Sequence, residues 1–355
     1  MRVALACDWF LKYAAAQAAG LARAGAEVLL VCREHAGEFG GDEGERQAAL
    51  RGPRDAGVRV VEAPGRLWDP AAIPVLLRLR REITRWRPQI VHVHDRVDPR
   101  AIALFPRTPV VFTLHDPVLH PGQPVAPIPK RWVLEGSWRE WRRRARAIVV
   151  HSERLRAEVA LGRRQRCVVI PHGMDVHSEP LAPPAVPTVG FFGRMEPYKG
   201  LDVLARAMPR VWAERPEVQL GVAGSGPTEL ELRDERVHIE RGYLPEAEVE
   251  AFFRRTSLAV LPYTQASQTG AGSVSVGYGV PIVASRLGGL PDLALDESYL
   301  FDVGDDAQLA AAITRHIDDG ADVRARVLGD VAAPRSWDAV ARQSLELYAD
   351  LLAGR

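Results

Sequence analysis

Short runs of apolar residues alternate with longer segments of helical period from one end of the chain to the other. In the first half the runs are Val3–Cys7, Val28–Cys32, Val58–Val61, Ile90–His94, Val110–Leu114, Ala147–Val150 and Val168–Ile170. Most are apolar at consecutive positions, which predicts strands covered on both faces, as in the parallel sheets of α/β layers. Between them the pattern predicts helices over Tyr13–Ala24, closed by Gly25, over Pro70–Trp86, ended by Arg87-Pro88, and over Arg131–Arg146.

Residues 177–187 carry four prolines in eleven positions. Proline at that density sustains neither a helix nor a central strand, so the segment reads as an extended linker. The alternation restarts behind it, with strands at Val189–Phe192, Leu220–Ala223, Val237–Glu240, Leu258–Leu261 and Ile282–Ala284. Helices are expected over Leu201–Arg215, Glu246–Arg255 and Ser336–Leu352, the last with an apolar stripe of Val340, Leu345, Leu347 and Leu351. The expected organisation is an N-terminal domain over 1–175, a linker over 176–187, a C-terminal domain over 188–335 and a final helix over 336–355 that packs back on the N-terminal domain. Each half would be a doubly wound sheet, with ligand-binding loops after the carboxyl ends of the strands.

Composition narrows the function. A length of 355 residues suits two domains. The 46 basic and 45 acidic side chains leave a net charge of +1, which supplies no field to attract nucleic acid. No apolar run has the roughly 18–20 residues that span a bilayer. Cys7, Cys32 and Cys167 are odd in number and lie in apolar strands, which reads as reduced, buried thiols in a cytoplasmic protein. Only Lys12, Lys130 and Lys199 are lysines, against an arginine-rich background.

The loops carry the candidate chemistry. The stretch after Val3–Cys7 holds no glycine until Gly20, which disfavours a dinucleotide fingerprint, and no Gly-x-x-x-x-Gly-Lys-Ser/Thr loop exists. After Val189–Phe192 comes Gly193-Arg194-Met195-Glu196-Pro197-Tyr198-Lys199-Gly200. A guanidinium and an ammonium so spaced can clamp a diphosphate from two sides, and on spacing alone a solvated turn is an equal reading. The small residues of Gln265–Ser273 lead into a short helix whose first amides suit an anion, or form a plain flexible loop. Gly224-Ser225-Gly226-Pro227 and Gly288-Gly289-Leu290-Pro291 are turns on the same side of the sheet.

Taken in order, these elements resemble glycosyltransferase family 4, the retaining, sugar-nucleotide-dependent enzymes of the GT-B fold. The matching segments are Val91-His-Val-His94, Thr113-Leu-His-Asp116, Val149-Val-His-Ser152, Ile170-Pro-His-Gly-Met-Asp175, Gly193-Arg194 with Lys199-Gly200, Val222-Ala-Gly-Ser-Gly-Pro227, Pro281-Ile-Val-Ala-Ser285 and Gly288-Gly-Leu-Pro-Asp292. The resemblance implies an α/β, GT-B architecture, two doubly wound Rossmann-like domains facing each other across a cleft. It also implies transfer of a hexose-like sugar from a nucleoside diphosphate sugar to a hydroxyl acceptor (a sugar, a natural product or a lipid-linked sugar), with an α-linkage, no metal and no cofactor. Arg194 and Lys199 would neutralise the donor diphosphate, and His115 would lie beside the donor sugar.

Two departures from the family pattern bear on the site. The usual Glu-x7-Glu pair falls on Ala266 and Val274. Ser267-Gln268-Thr269-Gly270 resembles a Thr-Gln-Ser-Gly variant of that loop. Donor-sugar contacts are therefore expected from Ser267, Gln268 and Thr269, with the amides of Gly270 and Ala271 near the phosphates, Gly224 in the wall and Tyr243 at the base. The glycine pair usual in the first loop is replaced by Phe10-Leu-Lys-Tyr-Ala, where Lys12 reads as a solvent-facing helix start. The loop His35–Asp42 is expected to hold the acceptor. His92 and His94 share a strand face and read as packing or cleft lining. Trp132, Trp138 and Trp141 among Arg139–Arg146 read as a helix burying its Trp side, with peripheral membrane contact the lesser alternative. The alternatives for the whole chain are a non-catalytic nucleotide-sugar-binding partner of another transferase, or a GT-B sugar-nucleotide epimerase.

Overall fold

The computed structural model describes residues 1–34, 37–39, 41–63, 72–94, 99–115, 128–265 and 269–354. They form two compact units, Met1–Gly173 with Trp337–Arg355, and Met174–Ser336.

The first unit is built on seven strands: β1 Arg2–Ala6, β2 Glu27–Arg33, β3 Arg59–Ala63, β4 Ile90–His94, β5 Val110–Thr113, β6 Ala145–Val150 and β7 Arg166–Val169. All pair in parallel in the order β3-β2-β1-β4-β5-β6-β7. Strand side chains alternate between faces, so Val3 and Leu5 enter one core while Ala4 and Ala6 enter the other. Burial on both faces explains why the sequence pattern runs apolar at consecutive positions. Cys7 and Cys32 are buried free thiols whose pKa burial pushes up.

The helix Trp337–Leu352 packs on the helix Leu11–Arg23 in this unit. Gly20 permits the close approach: a Cβ there would lie 2.7 Å from the Trp337 carbonyl oxygen. Val340, Leu347 and Leu351 enter the same core as Val3 and Leu5, while Leu345 is packed at its margin.

The second unit has β8 Thr188–Phe192, β9 Gln219–Gly224, β10 Val237–Arg241, β11 Leu258–Leu261, β12 Ile282–Ser285 and β13 Leu300–Phe301, parallel in the order β10-β9-β8-β11-β12-β13. In each sheet the strand order reverses beside the first strand, between β1 and β4 and between β8 and β11. The carboxyl ends at such a switch point are where α/β sheets bind ligands.

The proline-rich stretch lies along the second unit. His177 stacks on Tyr278 at 4.0 Å, and the Leu181 N–H donates to the Tyr278 carbonyl at 3.0 Å. Arg324 secures this run from inside. Its guanidinium is fully buried and donates to the carbonyls of Leu181 (3.2 Å), Thr256 (2.6 Å) and Ser257 (3.3 Å). Arg324→Leu would strand those carbonyls, each at a cost of about 1–3 kcal/mol. A loss of at least about 3 kcal/mol in denaturant unfolding is expected, and a loss under about 1 kcal/mol would show that the arginine is dispensable.

Candidate active site

The loop after β8 is shaped by backbone before any side chain acts. Gly193 turns at φ 123 and donates its N–H to the Ala223 carbonyl at 2.9 Å, and the Met195 N–H donates to Ser225 at 2.7 Å. The loops after β8 and β9 are thereby laced together. Gly224 has φ 145, and a Cβ there would fall 1.8 Å from the Gly193 carbonyl oxygen, so only glycine fits. Gly200, at φ 70, brings the chain equally close to the Pro262 carbonyl after β11.

These two close approaches fix Arg194 and Lys199. The Lys199 Nζ stands 3.7 Å from the centroid of the Tyr263 ring and 5.1 Å from that of Tyr198, a cation–π arrangement. Burial, reinforced by the Arg194 guanidinium, holds its ammonium down to about 7, while Glu196 pulls the other way. Arg194 is exposed. Among the described residues no carboxylate pairs with it.

Tyr263 is fully buried and links this lysine to the next loop. Its hydroxyl and Thr269 Oγ1 are 3.1 Å apart, and its carbonyl accepts a hydrogen bond from Ser285 Oγ at 2.7 Å. Thr269 caps the helix Gly270–Gly277, its Oγ1 accepting the Gly272 N–H at 3.2 Å. The N–H groups of Gly270 and Ala271 open that helix without an intrahelical acceptor. They adjoin the arginine loop, since a Cβ on Gly193 would lie 3.4 Å from the Ala271 Cβ. A guanidinium, an ammonium and two helix-start amides on adjoining loops are groups of the kind that can hold an anion.

The other expected donor contacts distribute as follows. Thr269 joins the site through its cap, with its hydroxyl engaged by Gly272 and Tyr263. Gly224 lies under the arginine loop. Tyr243 is 77% exposed beyond β10, where the Gly242 N–H donates to the Gly224 carbonyl at 2.9 Å. Val274 packs against the core of the unit. Ser267 and Gln268, with Ala266, lie outside the described residues. Sequence reading missed Tyr263; its signal was an aromatic two residues past the end of a strand, beside the proline whose carbonyl meets Gly200.

In the first unit, histidines follow the ends of successive strands. His94 ends β4, His115 and His151 follow β5 and β6, and His172 follows β7. His115 is 3% exposed, and both its ring nitrogens are engaged: Nε2 with His94 Nδ1 and Nδ1 with His151 Nε2, each at 3.1 Å. His151 Nδ1 meets the Ile170 carbonyl at 2.9 Å. Phe10, in a left-handed backbone at φ 67, stacks on His115 with centroids 4.2 Å apart. Burial drives the pKa of His94 and His115 well down and holds His92 and His172 at about 3, so these rings are neutral at pH 7. His92 is a satisfied core histidine, bonded to Tyr348 OH and Thr113 Oγ1.

Near the start of the first helix, the Glu38 carboxylate accepts the N–H groups of Leu11 and Lys12, and Lys12 Nζ lies 5.1 Å from the Phe39 centroid. Part of the expected acceptor loop thus caps a helix; His35, Ala36 and Gly40 lie outside the described residues. On the helix Ile128–Arg144, Trp141 is fully buried and Trp138 half-buried, while Trp132 is 70% exposed. Arg131 and Arg139 pair with Glu135, and Arg143 pairs with Glu140, so its two carboxylates offset part of its basic charge.

Comparison with known proteins places this arrangement. The model of glycosyltransferase family 4 matches residues 12–178, and that of glycosyl transferases group 1 matches residues 186–319. The chain belongs to glycosyltransferase family 4. Within that family it is 28% identical over 305 residues to glycogen synthase of Mycobacterium tuberculosis, covering 78% of this chain and 73% of that protein. It is 30% identical over 168 residues to phosphatidyl-myo-inositol mannosyltransferase of Propionibacterium freudenreichii, covering 46% of this chain and 43% of that one. The chain therefore matches less than half the length of that mannosyltransferase.

Sucrose-phosphate synthase from Thermosynechococcus elongatus superposes with a TM-score of 0.67 at 18% identity over the full length of both chains. Anabaena HepE in complex with UDP-glucose does so with a TM-score of 0.66 at 16% identity, again over both full chains. These likenesses identify the family 4 chain as α/β of the GT-B type, with parallel sheets of seven and six strands.

Proposed function

We propose that this family 4 protein is a retaining glycosyltransferase that moves a hexose-like sugar from a nucleoside diphosphate sugar to a hydroxyl acceptor. The observation that supports the reading is that the loop bearing Arg194 and Lys199 adjoins the start of the helix Gly270–Gly277. In the reaction the bond from sugar C1 to the phosphate oxygen breaks, and its electron pair leaves with the nucleoside diphosphate. The acceptor oxygen bonds to C1 on the same face, giving an α-linkage from an α-configured donor, and its proton passes to the departing phosphate oxygen. Charge grows on the diphosphate in the transition state, which is where fixed cations lower the barrier. The chemistry draws on no metal.

Ser267, Gln268 and Thr269 are assigned to the donor sugar, Gly224 to the wall of the diphosphate site and Tyr243 to the base. His115 serves from the N-terminal unit, where a direct contact to substrate requires exchange of one of its two histidine bonds. The acceptor is a free or lipid-linked hydroxyl compound. Among the described residues no helix is long and apolar enough to cross a membrane.

A thermal-shift panel of UDP-, GDP-, ADP- and dTDP-sugars tests the donor class. One nucleotide at about 100 times its dissociation constant should add about 2.7 kcal/mol of stability. The uridine series is the first candidate, because HepE was solved with UDP-glucose. No shift with any nucleotide sugar, together with no release of nucleoside diphosphate, would sink the reading.

A further inference from the structure

A cluster of like charge lies in the first unit, at the opposite end of its strands from the histidines. β6 and β7 begin at Ala145 and Arg166, and an open groove of about 750 Å³ lies at these amino ends. Six arginines line it: Arg143, Arg144, Arg146, Arg163, Arg164 and Arg166. Leu351, from the end of the helix Trp337–Leu352, contributes to its wall. Among the described residues that line the groove, none is a carboxylate. The whole chain carries a net charge of only +1, so this density is local.

Three of the six arginines are held by the fold. Arg143 pairs with Glu140 at 2.8 Å, Arg144 donates to the Phe105 carbonyl, and Arg166 donates to the Leu347 carbonyl at 3.4 Å. Burial keeps the Arg144 guanidinium below its ordinary pKa; Glu140 opposes that fall and Arg143 adds to it. Arg166 Nε is buried without a hydrogen-bond partner among the described residues. Arg146, Arg163 and Arg164 are exposed, and no carboxylate among the described residues pairs with them. The turn that presents Arg163 and Arg164 is tied down by Gln165. Its Nε2 donates to the carbonyls of Arg142 (2.6 Å) and Ala145 (2.9 Å), and its Oε1 accepts the Gly162 N–H at 2.9 Å. Crowding of like charges is unfavourable, and an anion in the groove offsets it.

Guanidinium forks bind phosphate oxygens in pairs, and three uncompensated cations suit a ligand with more than one negative charge. The volume is that of a small-molecule site. We propose that the groove is a second anion site that takes a diphosphate-like group, met by Arg163 and Arg164 from the turn and by Arg146 from β6. It lies wholly in the first unit, whereas Arg194 and Lys199 belong to the second. The site stands independently of the glycosyltransferase reading.

Titration calorimetry of the full chain with inorganic pyrophosphate, at low salt and without divalent cations, tests the site. The background is Arg194→Ala/Lys199→Ala, which removes the cations of the other loop. One pyrophosphate per chain should bind. Adding Arg163→Gln/Arg164→Gln should weaken binding at least about tenfold, through loss of two charge-assisted contacts. Arg80→Gln/Arg81→Gln removes the same charge from exposed positions on the helix Ala72–Trp86 and should change affinity less than about twofold. Both pairs are exposed, so thermal midpoints should hold. Absence of binding, or equal weakening by the two pairs, would overturn the proposal, since the second result is attraction by net charge alone. Vesicles identify where the phosphate group comes from. Cosedimentation with phosphatidylglycerol vesicles but not with phosphatidylcholine vesicles, lost in Arg163→Gln/Arg164→Gln, would assign the bound group to a lipid headgroup. Pyrophosphate binding without such cosedimentation would assign it to a free ligand. Vesicle binding without pyrophosphate binding would refute the groove in favour of a flat charged surface. A protein that binds pyrophosphate here yet transfers no sugar would refute the function and leave the site standing.

Discussion

Arg194→Ala and Lys199→Ala should each lower turnover by at least about a hundredfold, equivalent to about 2.7 kcal/mol of transition-state stabilisation. The size follows from what the two cations do. A diphosphate gains negative charge as the sugar departs, and a preformed cation at that point acts more strongly on the transition state than on the bound donor. The loss should therefore fall mainly on kcat, with a smaller rise in donor KM. Lys199→Arg should not rescue, because the longer side chain carries its charge past the point over the Tyr263 ring where the amine stands, 3.7 Å from the centroid, and spreads it over a planar fork. The measurement is steady-state release of nucleoside diphosphate, with folding verified by an unchanged thermal midpoint. Near-normal kcat in both alanine variants would remove the site from the reaction.

Much of this architecture is legible in the sequence because parallel strands buried on both faces announce themselves as uninterrupted apolar runs. All twelve runs identified from sequence occur as strands, within a few residues at their ends. What escaped has physical reasons. The strand β13 is only Leu300–Phe301, too short to show a period. The helix Asp306–His316 buries Ala310 and Ala312 beside Leu309 and Ile313, and alanines blur an amphipathic stripe. The proline-rich segment reads as a free linker because composition reports local conformation; the buried Arg324 that holds it lies 143 residues further along.

The site shows the same division. Arg194 and Lys199 stand out because lysine is rare in this chain and both sit in a loop after a strand. Tyr263, which lies under the amine, was hidden because its role depends on β11 lying beside β8, a fact of strand order. The histidine chain was visible only as four separate motifs. Each places a histidine at or just past the end of one of four strands, and only the adjacency of β4, β5, β6 and β7 turns them into one feature.

The pKa of Lys199, at about 7, makes donor binding a proton-linked event. In the free protein burial and the neighbouring Arg194 favour the neutral amine, so above neutral pH most molecules lack the charge. A diphosphate placed beside the amine raises its pKa, so binding takes up a proton wherever the free site is deprotonated and the bound site is not. The sign follows directly. Below about pH 7 the amine is already charged and affinity is flat; above it, affinity falls by up to about tenfold per pH unit until the pKa of the bound state is passed. A nucleoside diphosphate sugar has no phosphate group that titrates in this range, so the dependence belongs to the protein. Titration calorimetry at about pH 8, in buffers of different ionisation enthalpy, should report uptake of close to one proton per donor bound. Lys199→Met should abolish the uptake and flatten the profile while binding more weakly at every pH. A wild-type affinity that is constant from about pH 6 to about pH 9 would mean that the amine is charged throughout, and that Tyr263 stabilises the cation more than burial opposes it.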